Sequence, residues 1–204
     1  MTELTTYPVM EVFPTLQGEG KYTGSPSYFI RLAGCDVGCS WCDVKESWPI
    51  EDHPQIKIDE LVLGAKASGL PMVVVTGGEP CMYNLEPLTT ALKKEGLKIH
   101  LETSGAHPIL GDFDWITLSP KKFKDCLPGS YLKANELKIV VVNKHDLKWA
   151  QEQAIHVKDD TLLYLQPEWD RKEKVQGIIE DFLGSGEGRV WSLSTQTHKY
   201  LGIP

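Results

Sequence analysis

The 204-residue chain lacks any long hydrophobic run and any segment typical of a secretory leader. Residues Met1 to Tyr7 are polar, so no basic start precedes an apolar stretch. The longest apolar stretch, around Met72 to Val75, is far too short to span a bilayer. We therefore expect a cytoplasmic protein with reduced thiols that does not enter a membrane.

Positive charge is also scarce in this chain. Lysine and arginine together number 21 against 28 acidic residues, which gives a formal net charge of −7. Proteins that bind nucleic acid usually present a basic stripe, because phosphate contacts dominate their affinity. Here the basic pairs Lys93-Lys94 and Lys121-Lys122 are isolated, so the composition argues against direct nucleic-acid binding.

Disulfide cross-links and internal repeats are not expected either. Five cysteines are an odd number, and a chain of this length buries roughly 70% of its unfolded surface without cross-links. No repeat, low-complexity segment or linker divides the sequence. We expect a single domain over residues 1–204, in which residues 1–26 are an N-terminal extension.

Strand-like and helix-like segments alternate along the chain, which predicts an α/β fold with a mainly parallel sheet. The strand candidates are Ser27 to Leu32, Met72 to Thr76, Lys98 to Glu102, Trp115 to Leu118, Glu136 to Val142, Leu162 to Gln166 and Val190 to Leu193. The helix candidates are Ile58 to Ser68, Leu85 to Glu95, Lys144 to Gln153 and Arg171 to Leu183. Glycine and proline interrupt the segment from Gly105 to Asn135, so we expect a crossover without a full helix and a reduced or open barrel.

Polar residues follow directly after five of the predicted strands. The carboxyl ends of parallel strands meet at one edge of the sheet, where ligands bind in such folds. The segments are the loop from Cys35, Gly77-Gly78-Glu79-Pro80, Thr103-Ser104-Gly105, Ser119-Pro120-Lys121 and Gln166-Pro167-Glu168-Trp169. We expect these loops to point at one pocket.

Cys35, Cys39 and Cys42 form a C-x3-C-x2-C loop with an aromatic residue, Trp41, before the last cysteine. One loop thus supplies three thiolates, one fewer than a closed tetrahedral metal site uses. A zinc site would need another cysteine or a histidine to complete it, and the usual second pair of cysteines is missing. The spacing favours an iron–sulfur cluster with one open iron, while zinc and unligated thiols stay open as alternatives.

With this spacing and this aromatic residue, the chain resembles the radical S-adenosylmethionine (SAM) superfamily. The resemblance implies a [4Fe-4S] cluster on the three cysteines, whose open iron binds the amino and carboxylate groups of SAM. One-electron cleavage of the sulfonium then gives a 5′-deoxyadenosyl radical, and the protein orients the reactants and excludes water. The electron donor would be flavodoxin or ferredoxin.

The segment Thr76-Gly77-Gly78-Glu79-Pro80 is a common turn when taken alone. Two adjacent glycines after a strand open the backbone to a ligand, and Glu79 can accept hydrogen bonds from an ammonium group. Because it follows a strand and lies downstream of the cysteine loop, the segment is similar to the superfamily's glycine motif, which holds the amino group of SAM.

The string EVFPTLQGEG from Glu11 to Gly20, followed by Arg31, narrows the resemblance to the 7-carboxy-7-deazaguanine synthase family. The other matching segments are Ser119-Pro120-Lys121, Gln166-Pro167 and Gln196 to Pro204. The family consists of small radical SAM lyases that convert 6-carboxy-5,6,7,8-tetrahydropterin to 7-carboxy-7-deazaguanine with loss of ammonia. The resemblance therefore implies 7-deazapurine and queuosine biosynthesis, a tRNA modification pathway, with SAM as a regenerated cofactor and a homodimer.

The resemblance also assigns site residues by position, and it expects the radical rather than a catalytic side chain to start the chemistry. The N-terminal extension would form part of the substrate site. Substrate contacts are expected from Leu16, Gln17, Gly18, Arg31, Thr76, His198 and Pro204. SAM contacts are expected from Trp41, Cys42, Asp43, Gly78, Glu79, Ser104, Ser119, Pro120, Lys121, Gln166, Pro167, Glu168 and Trp169.

Two of these expectations have a direct physical reason. Arg31 can pair with the substrate carboxylate as a bidentate fork. The free carboxylate of Pro204 can accept hydrogen bonds from the N–H groups of a pterin edge. The segment from Tyr200 to Pro204 is apolar, so we expect it to pack inward.

At one position the chain departs from the family pattern. The family often has threonine or serine two residues after the third cysteine, where the hydroxyl helps to bind Mg²⁺ beside the substrate. This chain has Val44, which offers no ligand atom. Either Mg²⁺ binds through substrate oxygens and water, or the enzyme does not need the metal.

Two other functions stay open at this point. A glycyl-radical activase shares the cysteine motif, but it would recognise a protein and has no need for the string around Gln17 or for a buried Pro204. A small iron–sulfur electron carrier would need four cysteine ligands and no SAM site.

Overall fold

The structure is a computed structural model that describes residues 6–186 and 188–204. The first five residues of the expected N-terminal extension lie outside the described residues. The strands are β1 (Thr6–Leu16), β2 (Pro26–Leu32), β3 (Gln55–Lys57), β4 (Met72–Gly77), β5 (Lys98–Thr103), β6 (Trp115–Leu118), β7 (Glu136–Val141), β8 (Leu162–Pro167) and β9 (Ser192–Leu193). The helices are α1 (Ile58–Ala67), α2 (Glu86–Lys94), α3 (Pro128–Lys133), α4 (His145–Ala154), α5 (Lys172–Ser185) and α6 (Thr197–Leu201).

The strands form one sheet in the order β3-β1-β2-β4-β5-β6-β7-β8-β9. Every neighbouring pair from β2 to β9 is parallel, whereas β1 runs antiparallel to β2 and β3. The mainly parallel α/β architecture is therefore confirmed. Among the described residues, the connection from β5 to β6 contains no helix, in agreement with the expected reduced barrel.

The predicted strands and helices are all present, with ends shifted by one or two residues. Four elements were not predicted, namely β1, β3, α3 and α6. Strand β1 contains Pro8 and Pro14, which argue against a strand because proline cannot donate to a ladder. Helix α3 lies inside the glycine- and proline-rich segment, where its six residues are too few to show a helical period.

Neighbouring residues of each central strand face two different environments, because side chains alternate between the faces of a sheet. Leu101 and Leu165 are fully buried in the two hydrophobic clusters beneath the helices. Glu102 and Gln166, the next residues along, line a central cavity on the other face. Each buried leucine stabilises the fold by about 1.5–3 kcal/mol, so the register that aims the polar residues inward is strongly fixed.

The chain that follows β1 enters the inner face of the sheet. Tyr22 lies edge-on to His100, with ring centroids 4.4 Å apart, and to Trp115, with centroids 5.1 Å apart. Gly20 has a φ of 62°, and a Cβ there would lie 2.0 Å from Oε1 of Glu136, so a side chain does not fit. This turn fills the inside of the sheet and leaves the cavity at the carboxyl ends of the strands.

Asp146 ties the turn before α4 to the loop after β6. Its Oδ2 accepts hydrogen bonds from the backbone N–H groups of Val142 (2.7 Å) and Asn143 (2.8 Å), and its Oδ1 accepts one from Lys122 Nζ.

Among the described residues, no helix is both long and apolar enough to cross a bilayer.

We predict that Asp146→Ala lowers the free energy of unfolding by about 1–3 kcal/mol, because two backbone N–H groups lose their acceptor. Urea denaturation measures the change. Asp181→Ala, on the exposed surface of α5, is the matched control and should change stability by less than about 0.5 kcal/mol. Equal effects of the two substitutions would contradict the prediction.

Candidate active site

A cavity of about 430 Å³ opens at the carboxyl ends of the parallel strands. Its size lies within the range of small-molecule and cofactor sites. The predicted site residues that line it are Leu16, Gln17, Gly18, Arg31, Cys35, Cys39, Trp41, Cys42, Asp43, Thr76, Gly78, Glu79, Ser104, Ser119, Lys121, Gln166, Pro167, Glu168, Trp169, His198 and Pro204. The structure thus brings residues from both ends of the chain to the loops that follow the strands.

Pro120 is the predicted site residue that does not line this cavity. It borders a neighbouring cavity of about 460 Å³, together with Lys122 and Trp149. The residues on either side of it, Ser119 and Lys121, do line the central cavity. The lining of the central cavity thus does not extend to Pro120, and its contact with SAM stays a prediction.

The cysteine loop is a tight loop whose three sulfur-bearing residues all reach the cavity. Cys39 is buried and the other two are half-buried. The Cys42 amide donates to the Cys39 carbonyl at 3.0 Å, and the Val44 amide donates to the Cys42 sulfur at 3.4 Å. Burial raises the pKa of the Cys35 thiol, and it raises the pKa of Cys39 to about 11.

The glycine loop after β4 is joined to the cysteine loop backbone to backbone. The Gly78 amide donates to the Leu32 carbonyl at 3.0 Å, and the Glu79 amide donates to the Gly34 carbonyl at 2.9 Å. A Cβ on Gly78 would lie 2.2 Å from the Gly34 oxygen and 2.8 Å from Cβ of Cys35. The second glycine is therefore required by the close approach of the two loops.

Glu79 is almost completely buried, and four donors surround its carboxylate. Oε1 accepts from the Cys81 amide (3.0 Å) and from Thr103 Oγ1 (2.6 Å). Oε2 accepts from the Ser104 amide (2.8 Å) and from the Ser104 hydroxyl. These four donors fill the usual acceptor positions of a carboxylate, so in this structure Glu79 fixes the loops after β4 and β5 rather than offering a free acceptor.

Lys121 is held against the cysteine loop. Its ammonium lies 5.6 Å from the centroid of the Trp41 ring and donates to the Ser119 carbonyl and, at 2.8 Å, to the Ser119 hydroxyl. Burial lowers the pKa of Lys121. The predicted segment after β6 and the aromatic residue of the cysteine motif therefore form one wall of the cavity.

The N-terminal segment meets the C-terminal segment at Gly18. Its carbonyl accepts from the Thr197 amide at 2.9 Å, and a Cβ on Gly18 would lie 2.0 Å from Nδ1 of His198. Gln17 beside it is buried, and its Nε2 donates to Glu102 Oε1 at 3.4 Å. Burial lowers the pKa of His198.

Arg31 extends from β2 into the cavity beside β1. Its Nε donates to Glu11 Oε1 at 2.7 Å, and its guanidinium carbon lies 5.8 Å from the centroid of the Phe13 ring. The strand register places Glu11 directly opposite Arg31, which explains the pair. The Nε position is thus taken within the protein, and the terminal amino groups remain for a ligand.

The last residues turn back toward β1 after α6. Gly202, with a φ of 64°, ends the helix, and the Ile203 amide donates to the His198 carbonyl at 3.1 Å, as in a Schellman motif. Thr15 Oγ1 then donates to the Pro204 oxygen at 3.0 Å. Pro204 lies at the cavity but is exposed, and Tyr200 and Leu201 are 61% and 59% exposed, so the expected inward packing of this segment was wrong.

Lys138 is a buried cation that the sequence analysis missed. It lies on β7 between apolar residues, and its Nζ is 2.5 Å from Glu19 Oε2 and 2.9 Å from Glu102 Oε2. Glu136, two residues earlier on the same face, is also buried. A lysine inside an otherwise apolar strand candidate was the available signal, because such a residue is seldom buried without a partner.

The electrostatics of this group follow from one ammonium among three carboxylates. Burial alone would lower the pKa of Lys138, but the carboxylates of Glu102, Glu19 and Glu136 raise it above its usual value. Burial would raise the pKa of Glu19, but the charge of Lys138 brings it below its usual value. For Glu102 the effect of burial is larger than that of Lys138, so its pKa is raised. Burial, with the Glu102 charge, raises the pKa of Glu136 to about 7.

The donor set suits an iron–sulfur cluster with SAM beside it. A four-iron cube takes one thiolate per iron, and the three cysteines of one loop line the same cavity as the glycine loop. Gly78 lets the backbone approach the cysteines closely, as shown by the space that a Cβ would occupy. Among residues 6–186 and 188–204, no group of three or more histidine, cysteine or acidic side chains is arranged to hold a single metal ion, and this includes the three cysteines of the loop.

Comparison with known proteins agrees with this geometry. Residues 29–135 match the family model described as the radical SAM superfamily. The chain is 48% identical to a 7-carboxy-7-deazaguanine synthase of Synechocystis sp., over 100% of this chain and 97% of the relative. It is 49% identical to one of Flavobacterium psychrophilum, over 97% and 92% of the two chains. The crystal structure of QueE from Escherichia coli superposes with a TM-score of 0.83 at 35% identity and covers 95% of each chain.

The buried Glu136 predicts a pH-dependent stability. Its pKa of about 7 in the folded protein exceeds the ordinary 4.5, so its contribution to the free energy of unfolding is full below about pH 4.5 and declines as the pH rises through about 7. Glu136→Gln should therefore flatten the decline between about pH 5.5 and about pH 8, by up to about 2 kcal/mol. Urea denaturation at the two pH values measures it.

Glu173→Gln, on the exposed surface of α5, is the matched control and should keep the wild-type pH dependence. A Glu136→Gln profile parallel to that of the wild type would rule out the assignment.

Proposed function

The chain belongs to the 7-carboxy-7-deazaguanine synthase family of the radical SAM superfamily, and on this premise we propose what it binds and where. The proposed reaction is the conversion of 6-carboxy-5,6,7,8-tetrahydropterin to 7-carboxy-7-deazaguanine with loss of ammonia. The observation that carries the proposal is the convergence of four distant segments on one cavity. These segments are the residues after β1, the cysteine loop, the glycine loop and the C-terminal residues.

The cysteine side of the cavity is the proposed cofactor end. Cys35, Cys39 and Cys42 would hold a [4Fe-4S] cluster, and the glycine loop at Gly78 would hold the amino acid part of SAM. When bound, this pair supplies a carbon-centred radical by one-electron cleavage of the sulfonium. Glu79, with its four donors inside the protein, holds the loops at fixed distances rather than binding the ammonium itself.

The remaining SAM contacts would come from the loops after β5, β6 and β8. Ser104, Ser119, Lys121 and Trp169 line this part of the cavity. Gln166 and Pro167 are the last residues of β8, and Glu168 and Trp169 follow directly, so the sheet fixes the position of this segment. These loops would orient the adenosine and exclude water from it.

The other side of the cavity is the proposed substrate end. The terminal amino groups of Arg31 would bind the carboxylate of the pterin, and Thr76 lies on the neighbouring strand in direct register. Gln17, Gly18, His198 and the carboxylate of Pro204 would bind the pterin ring, whose edge presents several N–H groups. Glu102 also lines this end and adds a half-buried acceptor that the sequence analysis missed.

No specific observation favours the two other functions. A glycyl-radical activase would act on a protein and would not need Gln17 and Pro204 at the cavity. An electron carrier would need a fourth cysteine in the loop, and Cys81 is buried in the hydrophobic core, where burial raises its pKa to about 12.

The proposal includes partners that follow from the same chemistry. Flavodoxin or ferredoxin would deliver the electron, and the product would enter queuosine biosynthesis and thereby tRNA modification. A cytoplasmic location suits cysteines that must stay reduced until they bind iron. The homodimer stays a prediction.

The direct test is anaerobic reconstitution of the protein with iron and sulfide, followed by incubation with SAM, a reductant and 6-carboxy-5,6,7,8-tetrahydropterin. We expect a deazapurine product and one equivalent of ammonia per turnover, with SAM regenerated. Cys39→Ala is the matched control and should abolish cluster absorption and product together. A reconstituted protein that cleaves SAM but leaves the pterin unchanged would contradict the proposal.

Extension of the C-terminus provides a second test. A peptide tag appended to Pro204 removes the free carboxylate from this position, so turnover should fall at least about tenfold while the cluster and SAM binding persist. The same tag at the N-terminus is the control. Unchanged kinetics of the C-terminally tagged enzyme would show that the terminal carboxylate does not contact the substrate.

A further inference from the structure

The residues around Val44 do not fit the magnesium ion that the family pattern implies. Val44 lines the cavity but offers no ligand atom. In the adjacent carboxylate, Oδ2 of Asp43 accepts hydrogen bonds from Gln196 Nε2 at 3.0 Å and from Lys199 Nζ at 2.5 Å. Mg²⁺ needs several oxygen ligands in octahedral geometry, whereas Val44 offers none and one oxygen of the adjacent carboxylate is taken by two donors, one of them positively charged.

We propose that the Lys199 ammonium supplies, for the pterin carboxylate, the positive charge that magnesium supplies in the family. The inference rests on the substrate proposed above. It makes Lys199 a substrate-binding residue of this chain and predicts that the enzyme binds its substrate without a divalent cation.

The position of Lys199 is fixed by its helix. Helix α6 begins at Thr197, whose amide donates to the Gly18 carbonyl in the proposed pterin site. Gln196, just before the helix, is buried and donates to Asp43. These contacts at the start of α6 hold Lys199 beside the cysteine loop.

The ammonium has one hydrogen-bond partner and lies beside an aromatic ring. Asp43 contacts it on one side, and the centroid of the Trp169 ring lies 5.1 Å away. Its side chain is 21% exposed, so its charge is partly shielded from solvent. Within the described residues its hydrogen bond goes to Asp43, and a lysine ammonium has three donors. Two donors therefore remain for a ligand carboxylate.

The other lysines that line the cavity are less suited to this role. Lys121 donates back to Ser119, and Lys138 is paired with Glu19 and Glu102. Lys45 follows Val44 in the chain, but it is exposed and its ammonium lies 6.0 Å from the centroid of the Trp48 ring. Solvent screens a charge in that position.

Arg31 and Lys199 line the same cavity, and the proposal assigns both to the pterin carboxylate. The Nε of Arg31 is committed to Glu11, which leaves its terminal amino groups. A carboxylate has about four acceptor positions, so it can accept from a guanidinium and an ammonium together. The guanidinium of Arg31 and the ammonium of Lys199 would thus bind the carboxylate that an arginine and Mg²⁺ bind in the family.

The test measures binding of 6-carboxypterin, a fluorescent and unreactive pterin carboxylate, to the reconstituted holoenzyme with SAM under anaerobic conditions. Fluorescence titrations are made with excess EDTA and with millimolar magnesium. Pterin without the carboxylate serves as the reference ligand. The variants are Lys199→Met, Lys199→Arg, Lys45→Met and Lys172→Met. Lys172 is the matched control, because its ammonium lies 4.2 Å from the centroid of the same Trp169 ring but outside the cavity.

For the wild type we expect the same affinity for 6-carboxypterin in EDTA and in magnesium, within about twofold. Lys199→Met should weaken this binding roughly 10- to 100-fold and leave the binding of unsubstituted pterin and of SAM unchanged. Lys199→Arg should recover most of the loss, and Lys172→Met should bind as the wild type does.

Three results would overturn the inference. They are a wild-type affinity that rises tenfold or more with magnesium, a Lys199→Met variant that binds 6-carboxypterin normally, and a loss that appears in Lys45→Met instead. Failure of the proposed function is distinguishable, because wild-type holoenzyme would then bind neither pterin and would form no deazapurine.

Discussion

The pairing of Lys138 with Glu19 and Glu102 is the interaction on which the inside of this fold depends. The three side chains come from β7, from the turn after β1 and from β5, so one ammonium links the N-terminal segment to the middle of the sheet. Removing Lys138 would leave the carboxylates of Glu19 and Glu102 without their cation, and breaking a buried pair in this way typically costs about 3–5 kcal/mol. The pair therefore fixes where the N-terminal segment lies, and with it the floor of the cavity.

Most polar groups of the cavity wall already have partners inside the protein. Glu79 is surrounded by four donors, Asp43 is held by Gln196 and Lys199, and Gln166 accepts from Ser194, which in turn accepts from the Gly20 amide. Such a network keeps side chains in place before any ligand binds, which lowers the entropy that binding must overcome. The cysteine and glycine loops gain the same rigidity from their backbone hydrogen bonds.

The sequence predicted the parts of the molecule whose signals are local. The alternation of strands and helices gave the parallel sheet, and the spacing of Cys35, Cys39 and Cys42 marked the loop that faces the cavity. The partners of Lys138 and Glu79 were not predictable, because they lie far away in the sequence and depend on strand order. Strand β1 was not predicted, because Pro8 and Pro14 are more typical of loops than of strands. A motif match assigns positions in the chain and not the cavity that each residue lines, so the sequence could not separate Pro120 from Ser119 and Lys121.

The contact between Thr15 and Pro204 has a consequence for how the enzyme is made. Synthesis on the ribosome releases the N-terminal strand first, whereas its partner Pro204 follows 189 residues later. The cavity wall formed by the N-terminal segment and α6 can therefore close only after the residues up to Pro204 have left the exit tunnel. A nascent chain that still lacks α6 can pair most of its sheet, but it carries no complete pocket.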